Sequence, residues 1–134
     1  MARPRARGEK ELFWISSSYR ALLRFPERVK DGIGTALGVA QFGGKHPSAK
    51  PWKGEGPGVL EVVEDHAGDT YRAVYTIRFE KAVYVLHAFQ KKSPKGIKTA
   101  RTDIELVHRR LEAAREHYQM NFEARHMRGS NDEG

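Results

Sequence analysis

Apolar positions first occur as a run of four, Leu12 to Ile15, between charged and hydroxyl residues, which predicts a short strand within residues 11–16. Leu22, Leu23 and Phe25 then predict one or two helical turns within residues 19–25. Pro26 follows, and it suits the first position of a longer helix, where its missing N–H is not needed. Val29, Ile33, Ala36, Leu37 and Ala40 recur at steps of three and four, so they form one apolar stripe on that helix. Gly32, Gly34 and Gly38 lie inside the pattern and each costs about 1 kcal/mol relative to Ala, so packing has to offset them. Gly43 and Gly44 end the helix.

Residues 45–58 are rich in Lys, Pro and Gly and read as a loop. The period then changes to two. Residues 58–66 form one strand, Gly68–Asp69 helps make a turn, and residues 70–79 form a second strand. In that second strand Tyr71, Ala73, Tyr75, Ile77 and Phe79 share one face, and Arg72, Val74, Thr76 and Arg78 share the other. Glu80–Lys81 makes a tight hairpin to a third strand at residues 82–90, and such short links require antiparallel pairing. Thr102 and Glu105 have capping-box spacing at the start of a last helix, where Ile104, Val107, Leu111, Ala114 and Tyr118 make an apolar stripe. The order is strand, two helices, three antiparallel strands, helix. It predicts an α+β domain, a small antiparallel sheet packed with N-terminal helices and a C-terminal helix.

A length of 134 residues suits one domain. The pattern divides it into a basic arm at residues 1–9, a domain at 10–118 and a polar tail at 119–134. The formal charge of +7, from 24 Lys and Arg against 17 Asp and Glu, favours an anionic partner, most commonly nucleic acid. The absence of cysteine excludes disulfides, thiolate nucleophiles and Cys-based metal sites. No apolar run approaches the roughly 20 residues that span a bilayer, and no apolar segment follows the basic N-terminus. The expectation is a cytoplasmic protein with no membrane partner.

Gly38 to Lys45 invites comparison with a phosphate-binding P-loop, but the Gly-Lys pair is one residue out of place and His46 stands where Ser or Thr is needed. The six histidines include no pair at His-x-x-x-His spacing, which argues against zinc. The basic segment after the third strand says more. From His87 to Arg101 there are five Lys or Arg residues and no acid. Such a cluster suits phosphate, because each cation near the backbone releases counterions. A solvated surface loop is the plainer alternative. Position favours the first reading, since Lys91 and Lys92 leave the end of a strand and Arg72 and Arg78 share a face of its neighbour. Cross-strand pairing of Arg72 with Glu61 or Glu64 is the structural alternative for that residue.

Three stretches carry a family resemblance. Lys50-Pro51-Trp52-Lys53-Gly54-Glu55-Gly56-Pro57-Gly58 followed by Val59-Leu60-Glu61-Val62, the strand Thr70-Tyr71-Arg72-Ala73-Val74-Tyr75, and Val83-Tyr84-Val85-Leu86-His87-Ala88-Phe89-Gln90-Lys91-Lys92-Ser93 together resemble toxins of the RelE/HigB superfamily, in its phage-derived Gp49-like branch. The resemblance spans about residues 10–118 and implies a RelE-like domain. It further implies the toxin of a type II toxin–antitoxin system, a ribosome-dependent mRNA endoribonuclease. The RNA's own 2′-hydroxyl would attack the adjacent phosphate, with no metal or other cofactor. Arg72 and Lys92 are the implied phosphate-stabilising cations, with Lys91 as a candidate base beside them. His87 is a further candidate acid or base, although its alternation with Val85 and Phe89 favours a core-facing ring. Arg78, Lys95 and Lys98 complete the implied RNA-binding set. His117 and Tyr118 lie near the position where RelE-type toxins carry a C-terminal catalytic residue. The implied partners are mRNA, the ribosome and a cognate antitoxin with a helix-turn-helix DNA-binding domain. A non-catalytic ParE-like gyrase inhibitor and a plain nucleic-acid-binding module are the alternatives.

Overall fold

The computed structural model describes residues 5–91 and 100–123. In chain order the elements are β1 (Glu11–Trp14), α1 (Ser18–Leu23), α2 (Glu27–Gln41), β2 (Ala49–Pro51), β3 (Val59–His66), β4 (Asp69–Thr76), β5 (Ala82–Lys91) and α3 (Arg101–Tyr118), which runs on into a π-helical turn at Gln119–Glu123. The strands form one sheet in the order β1-β5-β4-β3-β2. Strands β2 to β5 are antiparallel, as their short links require, and β1 pairs with β5 in parallel. The expected α+β architecture is therefore present, with one strand more than the periodicity shows. The extra strand, β2, falls within the stretch expected to be loop. Three residues on a sheet edge cannot display an alternating pattern, so nothing local marks them.

Helices cover both faces of the sheet. Val29, Ile33, Ala36, Leu37 and Ala40 of α2 are all buried, and they pack with Val62, Tyr71, Ala73, Tyr75, Val83 and Val85. On the other face Val107, Leu111, Ala114 and Tyr118 of α3 pack with Val59, Val74, Tyr84 and Leu86. Ile104, the first residue of the expected α3 stripe, is exposed. Because successive strand residues point to opposite faces, β4 sends Tyr71, Ala73 and Tyr75 toward α2, and Arg72 and Val74 toward α3.

One irregularity re-aims the side chains in the second half of β5. Val74 lies opposite His87, yet Tyr75 lies opposite Val85, so Leu86 is an extra residue in β5. Such a bulge breaks strict alternation and re-aims the side chains beside it. Leu86 packs in the α3-side core, and the next residue, His87, hydrogen-bonds to α3.

Several local expectations change. The β3–β4 turn centres on Ala67 and Gly68, whose φ values of 51° and 86° match a two-residue primed hairpin turn. The expected capping box at Thr102 and Glu105 does not form. The helix begins at Arg101 with Ala100 as its cap, so Thr102 falls inside the first turn, and Glu105 instead accepts a hydrogen bond from Arg101 Nε at 3.1 Å. The boundary expected at residue 118 falls within a continuous helical run, where Phe122 stacks on Tyr118 with ring centroids 4.8 Å apart. Part of the expected basic arm is also tied down: Glu9 is buried, and Arg5 pairs with Glu11 at 3.2 Å.

The three glycines of α2 differ in their surroundings. A Cβ on Gly32 would lie 2.5 Å from a Glu64 carboxylate oxygen, whereas nothing lies within 4 Å of one on Gly34 or Gly38. Gly34→Ala and Gly38→Ala should each raise stability by about 0.5–1 kcal/mol, through helix propensity and a less disordered unfolded chain. Gly32→Ala should gain less, because Glu64 must move. Urea denaturation of the three variants checks this ranking.

Candidate active site

The α3-facing side of β4 and β5 gathers several of the candidate residues. Register sets Val74 beside His87, Arg72 beside Phe89 and Thr70 beside Lys91. Strand alternation therefore puts Arg72, His87, Phe89 and Lys91 on the same side of the sheet. The His87 ring stacks on Phe89 at 4.6 Å and 19°, and Phe89 meets Trp52 edge-on at 6.4 Å. His87 Nε2 lies 2.7 Å from Asp103 Oδ1 in the first turn of α3.

That environment fixes the charge state of His87. Burial holds its pKa below the ordinary histidine value, the Asp103 hydrogen bond and charge act against this, and Arg110 adds to the lowering. The imidazole is therefore neutral near pH 7. A neutral ring has one N–H. With that proton on Nε2 and donated to Asp103, Nδ1 keeps its lone pair. The core-facing expectation for His87 needs correcting in detail. The ring is largely buried, but the bulge puts it on the α3 side, away from Val85 and on the same face as Arg72.

Arg72 is less available than its sequence context implies. Its Nη1 donates to Glu61 Oε1 at 3.0 Å, and Lys50 Nζ approaches the same oxygen at 3.6 Å. The Glu61 and Arg72 side chains are only 7% and 15% exposed, and Glu61 Oε2 and Arg72 Nε are buried with no hydrogen-bond partner among the described residues. The cross-strand alternative raised by the sequence is thus realised through Glu61. Glu64, on the other face, lies against Gly32.

Arg78 does not share this surface. It lies beyond the end of β4, where Nε donates to the Pro57 carbonyl at 2.8 Å and Nη2 donates to the Glu55 carbonyl. It clamps the loop before β3. His117 and Tyr118 sit at the opposite end of β5 from His87 and Lys91. There His117 Nδ1 and the Tyr84 hydroxyl are 2.6 Å apart, and the Tyr118 hydroxyl accepts from the Lys81 amide at 3.3 Å. Burial is the main cause of a strongly raised Tyr84 pKa, with Tyr118 and Glu11 adding to it, so the Tyr84 hydroxyl stays protonated. Lys92, Lys95 and Lys98 lie outside the described residues. No group of three or more His, Cys, Asp or Glu among the described residues could hold a metal ion. No helix among them is long and apolar enough to cross a membrane.

Asp103 and Arg110 are the neighbours that sequence reasoning missed. Both lie among the polar positions of a long amphipathic helix, and an acid in a first helical turn is an ordinary dipole preference. Only the folded chain brings them to β5.

A family model described as phage-derived protein Gp49-like (DUF891) matches residues 20–112, which include Arg72, His87, Lys91 and Asp103. The chain belongs to the Gp49-like family. Among solved structures, this Gp49-like chain is similar to the toxin–antitoxin complex RelBE2 from Mycobacterium tuberculosis, at 19% identity and a TM-score of 0.40, over 66% of this chain and 98% of that one. No curated protein matches it.

Removing one partner of a buried ion pair strands the other charge and costs about 3–5 kcal/mol. Arg72→Ala should fall near the lower end of that range, because Lys50 still faces Glu61. Replacing both residues, as Glu61→Gln with Arg72→Met, should be far milder than the sum of the single changes. A double-mutant cycle in urea should give a coupling of about 1–3 kcal/mol. His87 supplies a second check. Its folded-state pKa is depressed, so the unfolded chain binds the proton more readily. Its contribution to stability is complete above about pH 6.5 and is lost as pH falls through the lower, folded-state value. His87→Asn should flatten this part of the stability–pH curve between neutral and mildly acidic pH.

Proposed function

We propose that this protein is the toxin of a type II toxin–antitoxin pair of the RelE/HigB kind, and that it cuts mRNA on the ribosome. The observation that carries this reading is a largely buried imidazole, hydrogen-bonded to Asp103, on the same face of the sheet as Arg72 and Lys91, in a Gp49-like chain. A cluster built only to bind phosphate has no use for a neutral base.

The chemistry is a transesterification within the RNA. Nδ1 of His87 takes the proton from a 2′-hydroxyl, and the 2′-oxygen bonds to the adjacent phosphorus. The bond from phosphorus to the 5′-oxygen breaks, and the leaving oxygen takes its proton from the Lys91 ammonium. The products are a 2′,3′-cyclic phosphate and a 5′-hydroxyl. Negative charge on the phosphorane is stabilised by Lys91 and Lys92, with Arg72 adding to the field although Glu61 offsets part of its charge. The step needs no metal or other cofactor. Arg78 is better assigned to loop structure than to RNA contact. Lys95 and Lys98 remain the proposed contacts to the RNA backbone.

Sequence elsewhere in the genome supplies the rest of the system under this reading. A free toxin arrests its host, so an antitoxin with a helix-turn-helix domain is its partner, and both act in the cytoplasm. The ribosome orients the message, and alignment of that kind is worth several kcal/mol.

Lys91→Ala should leave the fold intact and slow cutting about hundredfold or more, because it removes a cation from the developing charge. The measurement is mapping of mRNA 5′ ends after induction, on a message with and without its start codon. Cuts confined to the translated message are the expected result. Gyrase inhibition without cuts, or binding of RNA without cuts, would replace this reading with the ParE-like or the plain binding alternative.

A further inference from the structure

Among the described residues, the bond between His87 and Asp103 is one of two side-chain bonds that tie α3 to the bulge of β5. Seven residues along the helix from Asp103, Arg110 donates from Nη1 to the carbonyl of Leu86 at 3.0 Å and from Nη2 to Ser17 Oγ at 3.1 Å. Seven residues are about two helical turns, so Asp103 and Arg110 project from the same face of α3. Ser18 Oγ donates to the Val85 carbonyl at 3.2 Å, one residue further back. The backbone on either side of the extra residue is therefore held from α1 and α3, while the ring that follows is held by Asp103 and by stacking on Phe89.

We propose that Asp103 and Arg110 are positioning residues, which hold His87 in one orientation and one tautomer so that Nδ1 receives the substrate proton. The proposal rests on the endonuclease reading and gives α3 a task in that site. The geometric reason is specific. A bulge leaves a carbonyl out of the regular ladder, and Arg110 takes up that of Leu86, so the backbone under His87 is fixed. The carboxylate of Asp103 accepts the Nε2 proton and also stabilises the imidazolium formed when Nδ1 is protonated.

The two residues act on His87 with opposite sign. Among the described residues the charged groups that act on the ring are Asp103 and Arg110 from α3, while Arg72 of β4 and Lys91 of β5 share its face of the sheet. Asp103 favours the protonated ring and Arg110 disfavours it. In a base mechanism the rate falls at low pH as His87 becomes protonated. Asp103→Asn should therefore move this acid limb to lower pH, and Arg110→Gln should move it to higher pH.

The experiment uses the full chain in a reconstituted translation system, with a ribosome-bound message as substrate. The rate is measured against pH for wild type, Asp103→Asn, Asp103→Glu and Arg110→Gln. Asp103→Asn should lower kcat about hundredfold or more, the scale of general-base catalysis, with KM little changed and partial recovery in Asp103→Glu. Nitrogen-15 spectra of His87 should show the proton on Nε2 in wild type and a mixed or reversed tautomer in Asp103→Asn. Should Asp103→Asn fail to fold, the upward shift in Arg110→Gln and the wild-type spectrum still decide. Unchanged acid limbs in folded variants overturn the proposal while leaving the endonuclease reading in place. A wild-type proton on Nδ1 overturns both the proposal and the assignment of Nδ1 as the base, while ribosome-dependent cutting itself is read separately from the mapped mRNA ends. Wild-type protein that cuts no translated message overturns the proposal and the endonuclease reading together.

Discussion

Strand β5 is buried on both faces, and that constraint organises the rest of the molecule. Val83 and Val85 pack toward α2, and Tyr84 and Leu86 pack toward α3. A strand enclosed in this way has little freedom to slip, because a one-residue shift would exchange its two apolar sets. The extra residue at Leu86 is therefore a fixed feature of the packing. It lets five positions of continuous core be followed by a ring that hydrogen-bonds to α3 rather than entering the α2-side core. The α3 helix completes the arrangement by covering the same face and supplying both the ring's acceptor and the bulge's donor.

The polar groups beside this core are held with different strictness. Arg72 and Glu61 form a nearly enclosed pair that retains two polar atoms with no partner among the described residues. A pair of that kind contributes little net stability, yet breaking it on one side is expensive. It limits how much charge Arg72 offers to a ligand. His87 is constrained in the opposite sense, since burial keeps it neutral and Asp103 keeps it oriented. Lys91 stands at the last position of β5, beside the end of the enclosed segment. The face thus combines the Arg72–Glu61 pair, an imidazole bonded to Asp103 and a lysine at the strand end, the set on which the proposed proton transfer next to phosphate rests.

Much of this was legible along the chain because it is periodic. The α2 stripe follows from helical spacing, and the assignment of Arg72 and Tyr71 to opposite faces follows from strand alternation. The same rule misled at His87, where alternation with Val85 implied a shared core face that the bulge removes. Position near the C-terminus drew His117 and Tyr118 toward the chemistry, but they cluster with Tyr84 and Lys81 at the far end of β5. Arg78 shared the alternation of Arg72 on paper, yet β4 ends before it and the loop carbonyls at Glu55 and Pro57 take up its guanidinium.

The sequence by itself determined the main elements, their order, the antiparallel β3–β4–β5 meander and the Gp49-like motifs, because each depends on neighbours a few residues apart. Tertiary structure decided the partners across long separations. It placed β1 parallel to β5, set β2 on the far edge, joined Arg72 to Glu61, and brought Asp103 and Arg110 to the bulge. The physical reason is the range of the interactions. Periodicity records which side of an element is buried, whereas a hydrogen bond between a helix and a bulged strand depends on register and packing that no local spacing encodes.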